Sequence, residues 1–282
     1  VTGKGGVGKS LFSAALAHYF SNSSSEKAEK ILLTELSESS FYKDYLNIQN
    51  ISYLPVKLGP NLDIAQWSPE ACLREYCLHL LKIEALYKLF FENPVSKSLV
   101  QVAPGLQELA LLGKLTSSPR KHGPPMNYGQ IVVDAHSTGH FLSLLRAPKA
   151  LNEVVSVGPM GEQSRSIDAY IRNSSFTQIH IVCLPEELPV TETIELYQKI
   201  NFEFNLTPKV YLNKTADLTE TDLKNLNTET QKSLLYLINQ EKFAEKTLTE
   251  AKINFTKIPL FFSFSGPDLM KQMSQHLRDS YV

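Results

Sequence analysis

The chain has 282 residues, enough for one large domain or two small ones with a substantial buried core. Its formal net charge of −1 provides no overall basic field that would favour nucleic acid or an anionic membrane surface as a partner; we expect no nucleic-acid partner, although local basic patches remain an alternative. No apolar run approaches the ~18 residues needed to span a bilayer, so we expect no integral membrane segment.

The first ten residues, VTGKGGVGKS, form a glycine-rich segment. Gly3, Gly8, Lys9 and Ser10 satisfy the G-x-x-x-x-G-K-[ST] pattern of a Walker A phosphate-binding loop. Glycines allow backbone N–H groups to close around phosphate oxygens, Lys9 neutralises phosphate charge, and the Ser10 hydroxyl ligates Mg²⁺. The predicted nucleotide-binding residues are Gly3, Lys4, Gly5, Gly6, Val7, Gly8, Lys9, Ser10 and Leu11.

A phosphate-binding loop normally follows a buried strand, and here only Val1 and Thr2 precede it. We therefore expect the first strand to be either unusually short or incomplete in this numbering.

The remaining predicted elements alternate between helices and strands. Residues 11–20 are predicted to form a buried helix, and short apolar runs typical of parallel strands follow at 31–36, 130–135, 178–184, 209–213 and 258–262. Helical patterns lie between most of them, which predicts an α/β fold with a mostly parallel sheet flanked by helices. We interpret residues 1–282 as a single domain, with a helical insertion at 68–118 and a long helical crossover at 218–252.

The strand at 130–135 is followed by a polar turn with candidate functional residues. Asp134 lies at its carboxyl end, where α/β sheets bind ligands, and is therefore the Walker B candidate for holding Mg²⁺; a helix cap is the alternative. Ser137, Thr138 and Gly139 form a polar turn suited to sensing a γ-phosphate.

Two segments resemble a known family. The string K-G-G-V-G-K-S over residues 4–10 resembles the deviant Walker A loop of the partition, division-site, nitrogenase-iron-protein and arsenical-pump ATPases. D-A-H-S-T-G-H-F-L-S-L-L over residues 134–145 is similar to switch II of the arsenical pump ATPase (ArsA) and of the tail-anchored-protein targeting (GET-type) ATPases. Segments 104–115, 145–171 and 184–196 resemble the short, single-domain bacterial branch, so the similarity covers most of residues 3–213.

This resemblance implies a P-loop NTPase fold that binds ATP or ADP with Mg²⁺ and forms a dimer, either with itself or with a paralogue. It makes Lys4 the signature lysine that reaches the partner subunit's nucleotide; a solvated loop lysine is the alternative. Thr138, Gly139 and His140 would belong to switch II, although His140 could also be an ordinary surface or core histidine. Asn213 matches the asparagine that contacts adenine. A hydrophobic client helix and a membrane partner are further implied partners.

The sequence departs from this family at the end of the strand 31–36. The family has an aspartate there that orients the attacking water, whereas Glu35 carries an additional methylene group. Water positioning tolerates such shifts poorly. Four alternatives remain open: Glu35 acts as a slow base, Glu38 replaces it, hydrolysis is very weak, or Glu35 simply faces solvent.

Three further features bear on which nucleotide base, metal or client the chain could bind. Ala216 occupies the position of the aspartate in the guanine motif N-K-x-D, with Asp217 one position late, so guanine specificity is disfavoured. The zinc-binding C-x-x-C pair is absent, and Cys72, Cys77 and Cys183 are predicted to be buried thiols, which disfavours metalloid sensing. The apolar helices of 68–118 either pack on the sheet, which we favour, or form a groove for client helices.

The sequence as a whole predicts a cytoplasmic, dimeric ATPase switch, with membrane-protein targeting as one role. Its catalytic candidates are Lys4, Lys9, Glu35 and Asp134, and its metal candidates are Ser10 and Asp134. The alternative is a slow or inactive nucleotide-binding partner subunit; an arsenite pump subunit is more remote.

Overall fold

The computed structural model describes residues 1–22, 29–37, 39–81, 105–123, 126–216, 218, 220–223 and 227–280. These residues form a mixed α/β structure whose sheets are mostly parallel and flanked by helices. The predicted fold class is therefore confirmed. The chain divides into two compact units, of which unit 1 comprises residues 1–20, 136–138 and 178–282, and unit 2 comprises residues 21–135 and 139–177.

Unit 1 is built on a three-stranded parallel sheet in the order β5-β6-β7, with strands His180–Cys183, Lys209–Thr215 and Phe255–Pro259. Its helices are α1 (Lys9–Ser21), α8 (Glu187–Phe204), α9 (Thr228–Glu250) and α10 (Gly266–Ser280), with a 3₁₀ turn at Glu220–Leu223. Helix α1 buries an alanine-rich face, and Phe12 packs on Tyr211 of β6 with ring centroids 4.5 Å apart. Asn227 caps α9 by accepting a hydrogen bond from Thr230 N.

Unit 2 contains a four-stranded sheet in the order β2-β3-β1-β4. Its strands are β1 (Ile31–Glu35), β2 (Val56–Lys57), β3 (Leu62–Gln66) and β4 (Gln130–Asp134), and β1 runs parallel to both β3 and β4. The helices are α2 (Phe41–Tyr45), α3 (Pro69–Leu81), α4 (Leu106–Leu115), α5 (Ser117–Arg120), α6 (Thr138–Val154) and α7 (Gly158–Ile171).

The sequence prediction located most of these elements but missed β2 and β3 and misplaced β7. Strand β3 contains Asp63 between Leu62 and Ile64, so a search for continuous apolar runs passes over it. Strand β7 spans Phe255–Pro259 instead of residues 258–262, and Phe262 beyond its end is 80% exposed.

The apolar faces of the predicted helical insertion are buried along most of their described length, although the predicted positions Leu106 and Leu115 at the two ends of α4 are only half-buried. Leu73 and Tyr76 on α3, and Leu109 and Leu112 on α4, are at most 8% exposed. This supports packing of these faces, whereas residues 82–104, with the predicted apolar positions 86, 89, 90 and 91, lie outside the described residues.

A charged cluster in unit 2 joins α3, α4 and the β3 region. Lys114 Nζ lies 2.6 Å from Glu75 Oε2, and it sits over the rings of Tyr53 and Trp67 at 4.3 and 4.9 Å from their centroids. The Tyr53 hydroxyl also donates to Glu75 Oε2, at 2.6 Å. The ammonium group therefore has both an ionic partner and two aromatic faces.

We expect Lys114→Met to lower the free energy of unfolding by about 2 kcal/mol, because it removes one partner of a largely buried ion pair together with its cation–π contacts. Urea unfolding at neutral pH measures this. Lys246→Met is the matched control: Lys246 pairs with Glu250 at 3.8 Å but is 75% exposed, so we expect a change below about 0.5 kcal/mol. Equal losses in the two variants would contradict a stabilising role for the cluster.

Candidate functional site

The glycine-rich loop of unit 1 connects Thr2, which pairs with strand β5, to helix α1. Thr2 N donates to His180 O at 2.8 Å, and Val182 N donates to Thr2 O at 2.9 Å, so Thr2 extends the parallel sheet beside β5. Gly3 follows directly, and α1 begins at Lys9. This is the strand, loop and helix order in which a Walker A motif binds phosphate.

Three glycines of the loop adopt backbone angles that favour glycine. The φ angles of Gly3, Gly6 and Gly8 are 143°, 84° and 93°. A Cβ on Gly3 would lie 2.2 Å from Val182 O, and a Cβ on Gly8 would lie 2.6 Å from Asn213 Nδ2. At Gly5 and Gly6 a Cβ would meet no described heavy atom within 4 Å. The loop is therefore tightly packed at its two ends and open in the middle.

The lysine of the motif spans the loop. Lys9 Nζ donates to Lys4 O at 2.9 Å, across the segment where a phosphate group would lie. Ser10 and Leu11, also predicted to bind nucleotide, form the first turn of α1 and are partly exposed. The N–H groups of a first helical turn lack intrahelical acceptors and carry the positive end of the helix dipole, which favours an anion at this position.

Asn213 lies under the loop and is 1% exposed. Its Nδ2 donates to Val7 O at 2.8 Å, so strand β6 supports the loop from below. Its Oδ1 is buried and has no hydrogen-bond partner among the described residues. The sequence did not predict the contact with Val7. The predicted contact with adenine stays a prediction, and the unpaired acceptor is compatible with it because the adenine amino group is a donor.

Lys4, the predicted signature lysine, is paired within its own chain. Its Nζ lies 3.2 Å from Glu192 Oε1 on helix α8, and Thr138 Oγ1 donates to Glu192 Oε2 at 3.3 Å. The side chains of Lys4 and Glu192 are 28% and 32% exposed. Lys4 therefore has an ionic partner within its own chain and is partly, not fully, exposed to solvent. Sequence reasoning missed Glu192, because no local pattern links residues so far apart in the chain.

In unit 2, Glu35 ends β1 and is only 5% exposed, so the solvent-facing alternative is wrong. Its Oε2 accepts from Ser40 Oγ at 2.7 Å and its Oε1 from Phe41 N at 2.8 Å. Glu35 therefore caps helix α2. Burial raises the pKa of Glu35, and these hydrogen bonds oppose that effect. Glu38, the other candidate, lies outside the described residues.

Asp134 lies next to Glu35, since the two residues are register partners at the ends of β4 and β1. Asp134 is 6% exposed, and the Tyr42 hydroxyl of α2 donates to its Oδ2 at 3.0 Å. The structure thus brings the two acidic candidates together and adds Tyr42, which the sequence did not single out. That Asp134 and Ser10 hold one Mg²⁺ ion stays a prediction.

The predicted switch II residues form the start of helix α6, which begins at Thr138. Gly139 and His140 are exposed, which excludes the core alternative for His140 and leaves its role in switching a prediction. Thr2 Oγ1 donates to the carbonyl oxygen of His136 at 2.9 Å, which connects the strand before the loop to the residues before α6.

The cysteines are buried where the structure describes them. Cys72 and Cys183 are at most 1% exposed, and burial raises their pKa values to about 12 and about 11. The side chain of Cys77 lies outside the described part. Among the described residues there is no group of three or more histidine, cysteine, aspartate or glutamate residues that could hold a metal ion. None of the described helices is long and apolar enough to span a membrane.

Comparison with known proteins identifies relatives. The family model for anion-transporting ATPases matches residues 1–160. ATPase BagA of Mycobacterium tuberculosis is 29% identical over 214 residues, which covers 71% of this chain and 59% of that protein. The chain thus spans less than two thirds of this relative's length.

Two further relatives are more distant. The ATPase ASNA1 homolog of Plasmodium falciparum is 25% identical over 281 residues, covering 86% of this chain and 68% of the relative. A putative arsenical pump-driving ATPase of Halobacterium salinarum is 25% identical over 234 residues, which covers 75% of this chain and 35% of that relative.

Proposed function

Because the chain belongs to the anion-transporting ATPase (ArsA) family, we propose that it is a dimeric switch protein that binds and slowly hydrolyses ATP. The observation that carries this proposal is the loop from Gly3 to Gly8, with three glycines at positive φ in front of the N-terminus of α1. Such a loop has few structural uses other than binding phosphate.

Residues of the phosphate loop and of β6 fit a nucleotide. Lys9 would exchange the Lys4 carbonyl for phosphate oxygens, and the buried Oδ1 of Asn213 would accept from adenine. Ser10 and Asp134 are the cation ligands that the family resemblance implies. The cation, when bound, neutralises charge on the transferred phosphoryl group. The chain itself contributes the loop and the helix N-terminus that surround the phosphate.

We assign Lys4 to the partner subunit's nucleotide, in a homodimer or a heterodimer with a paralogue. The role in the cell that fits this family resemblance is membrane-protein targeting in the cytoplasm, with a hydrophobic client helix. Energising an arsenical pump, the role in the name of one relative, fits less well, because buried thiols with raised pKa values are poor metalloid ligands.

One observation favours the slow or inactive partner subunit as a second candidate. Both carboxylate oxygens of Glu35 accept hydrogen bonds from Ser40 and Phe41, so this side chain is already occupied as a helix cap. A carboxylate held in this way is poorly placed to orient an attacking water. Nucleotide binding does not depend on it.

Steady-state ATP turnover of the purified chain, with Lys9→Ala beside it, tests the proposal. We expect slow turnover that falls at least about 100-fold in Lys9→Ala, because the phosphate charge is no longer neutralised by the Lys9 ammonium group. Lys199→Ala is the matched control: Lys199 is half-exposed and pairs with Glu195 on α8. Identical turnover rates in all three proteins would refute the proposal that the chain is an ATPase. If the chain is inactive but retains ADP through purification, the result would support the alternative of a nucleotide-binding partner subunit.

A further inference from the structure

Glu192 links two parts of the site that the nucleotide is expected to control. Its Oε1 pairs with Lys4 Nζ of the phosphate loop at 3.2 Å, and its Oε2 accepts from Thr138 Oγ1 at 3.3 Å. All three residues belong to unit 1. Each carboxylate oxygen thus has its own partner, one in the loop and one at the start of helix α6.

The backbone that carries Glu192 is held in place by core residues. Val190 and Thr193, on either side of it in α8, are at most 2% exposed, so the helix cannot rotate without opening the core of unit 1. The contacts of Glu192 connect helix α8 to two other segments of the chain. The ion pair between Glu195 and Lys199 further along α8, in contrast, joins residues of one helix at 3.4 Å, with side chains 60% and 49% exposed.

We propose that Glu192 is a positioning residue that holds the Lys4 ammonium inside its own subunit and couples its release to Thr138. The part concerning the dimer rests on the proposed function, in which Lys4 reaches the nucleotide of the partner. Since the Glu192 carboxylate binds both the Lys4 ammonium and the Thr138 hydroxyl, a movement of Thr138 alters the attraction between Glu192 and Lys4. In the free subunit, release of Lys4 breaks this ion pair. The ion pair therefore opposes dimer formation until nucleotide binds.

The first test measures how accessible the Lys4 amine is to limited acetylation, read by mass spectrometry with exposed Lys246 as the reference. We expect the acetylation rate of Lys4 to rise about two- to fivefold in Glu192→Gln, the range for loss of a partly exposed ion pair. Glu195→Gln makes the same chemical change on the same helix and should leave Lys4 unchanged. Equal Lys4 rates in the two variants would overturn the proposal.

The coupling to Thr138 has its own variant. Thr138→Val keeps the shape of the side chain and removes the hydroxyl that donates to Glu192. We expect Lys4 acetylation to change in this variant, by less than in Glu192→Gln. An unchanged rate would show that Glu192 holds Lys4 without any link to Thr138 and would overturn the coupling. Thermal melts of each variant verify that unit 1 remains folded.

The second test measures the dimer by sedimentation with a non-hydrolysable ATP analogue and Mg²⁺. We expect Glu192→Gln to dimerise at an analogue concentration about two- to fivefold lower than the unmodified chain, because the opposing ion pair is gone. A higher concentration would overturn the proposal. If no variant binds the analogue, the proposed function fails, whereas the acetylation experiment still decides whether Glu192 holds Lys4.

Discussion

Gly8→Ala is expected to weaken ATP binding at least about 100-fold and to lower the free energy of unfolding by about 3 kcal/mol. Two effects add at this position. The backbone of Gly8 has a φ of 93°, which costs an L-residue about 1–2 kcal/mol, and the new Cβ would lie 2.6 Å from Asn213 Nδ2. Because Asn213 is buried and bonded to Val7 O, it cannot move away cheaply.

A double-mutant cycle separates these two effects. In an Asn213→Ala background the steric clash is absent, so Gly8→Ala should cost at least about 1 kcal/mol less there than in the unmodified chain. Urea unfolding and binding of a fluorescent ATP analogue give the two readouts. Gly59→Ala is the control, because its Cβ would make an ordinary 3.6 Å contact with Leu62 Cβ and φ is not positive there. Additive losses would show that Asn213 does not press on the loop.

Glu35→Asp is expected to raise the rate of ATP turnover by about ten- to a hundredfold. The shorter side chain cannot reach Ser40 Oγ and Phe41 N as Glu35 does at 2.7 and 2.8 Å, so its carboxylate becomes available for water. It also restores the residue that the family resemblance places at this position. Loss of the cap on α2 should cost about 1 kcal/mol of stability.

Initial rates at saturating ATP, together with ATP affinity for each variant, keep hydrolysis separate from binding. Glu35→Gln serves as the opposite control and should turn over more slowly than the unmodified chain, since an amide cannot act as a base. Because burial raises the pKa of Glu35, the residual rate of the unmodified chain should fall as the pH is lowered, at a higher pH than for an exposed glutamate. If Glu35→Asp is no faster than the unmodified chain, side-chain length does not limit hydrolysis.

Local patterns were sufficient to predict much of the fold. The continuous apolar runs at 31–36 and 130–135 correspond to β1 and β4, and the helix predicted at 11–20 corresponds to α1. Strand β1 is readable because all of its residues are buried, and a strand buried on both faces forms a nearly continuous apolar run. Strand β3 was missed because it is short and Asp63 interrupts its apolar run. The single-domain interpretation of residues 1–282 stays a prediction.

The sequence by itself determined that this protein has a Walker A loop and belongs with the ArsA-like ATPases, because a motif depends on residue types at fixed spacing. Only the tertiary structure decided what the side chains of that site contact. Glu192 pairs with Lys4, Asn213 supports Val7, and Glu35 caps α2 instead of facing solvent. Each of these contacts joins residues that lie in different structural elements. Such pairings depend on how the elements pack against one another, and the spacing of residues along the sequence does not encode that packing.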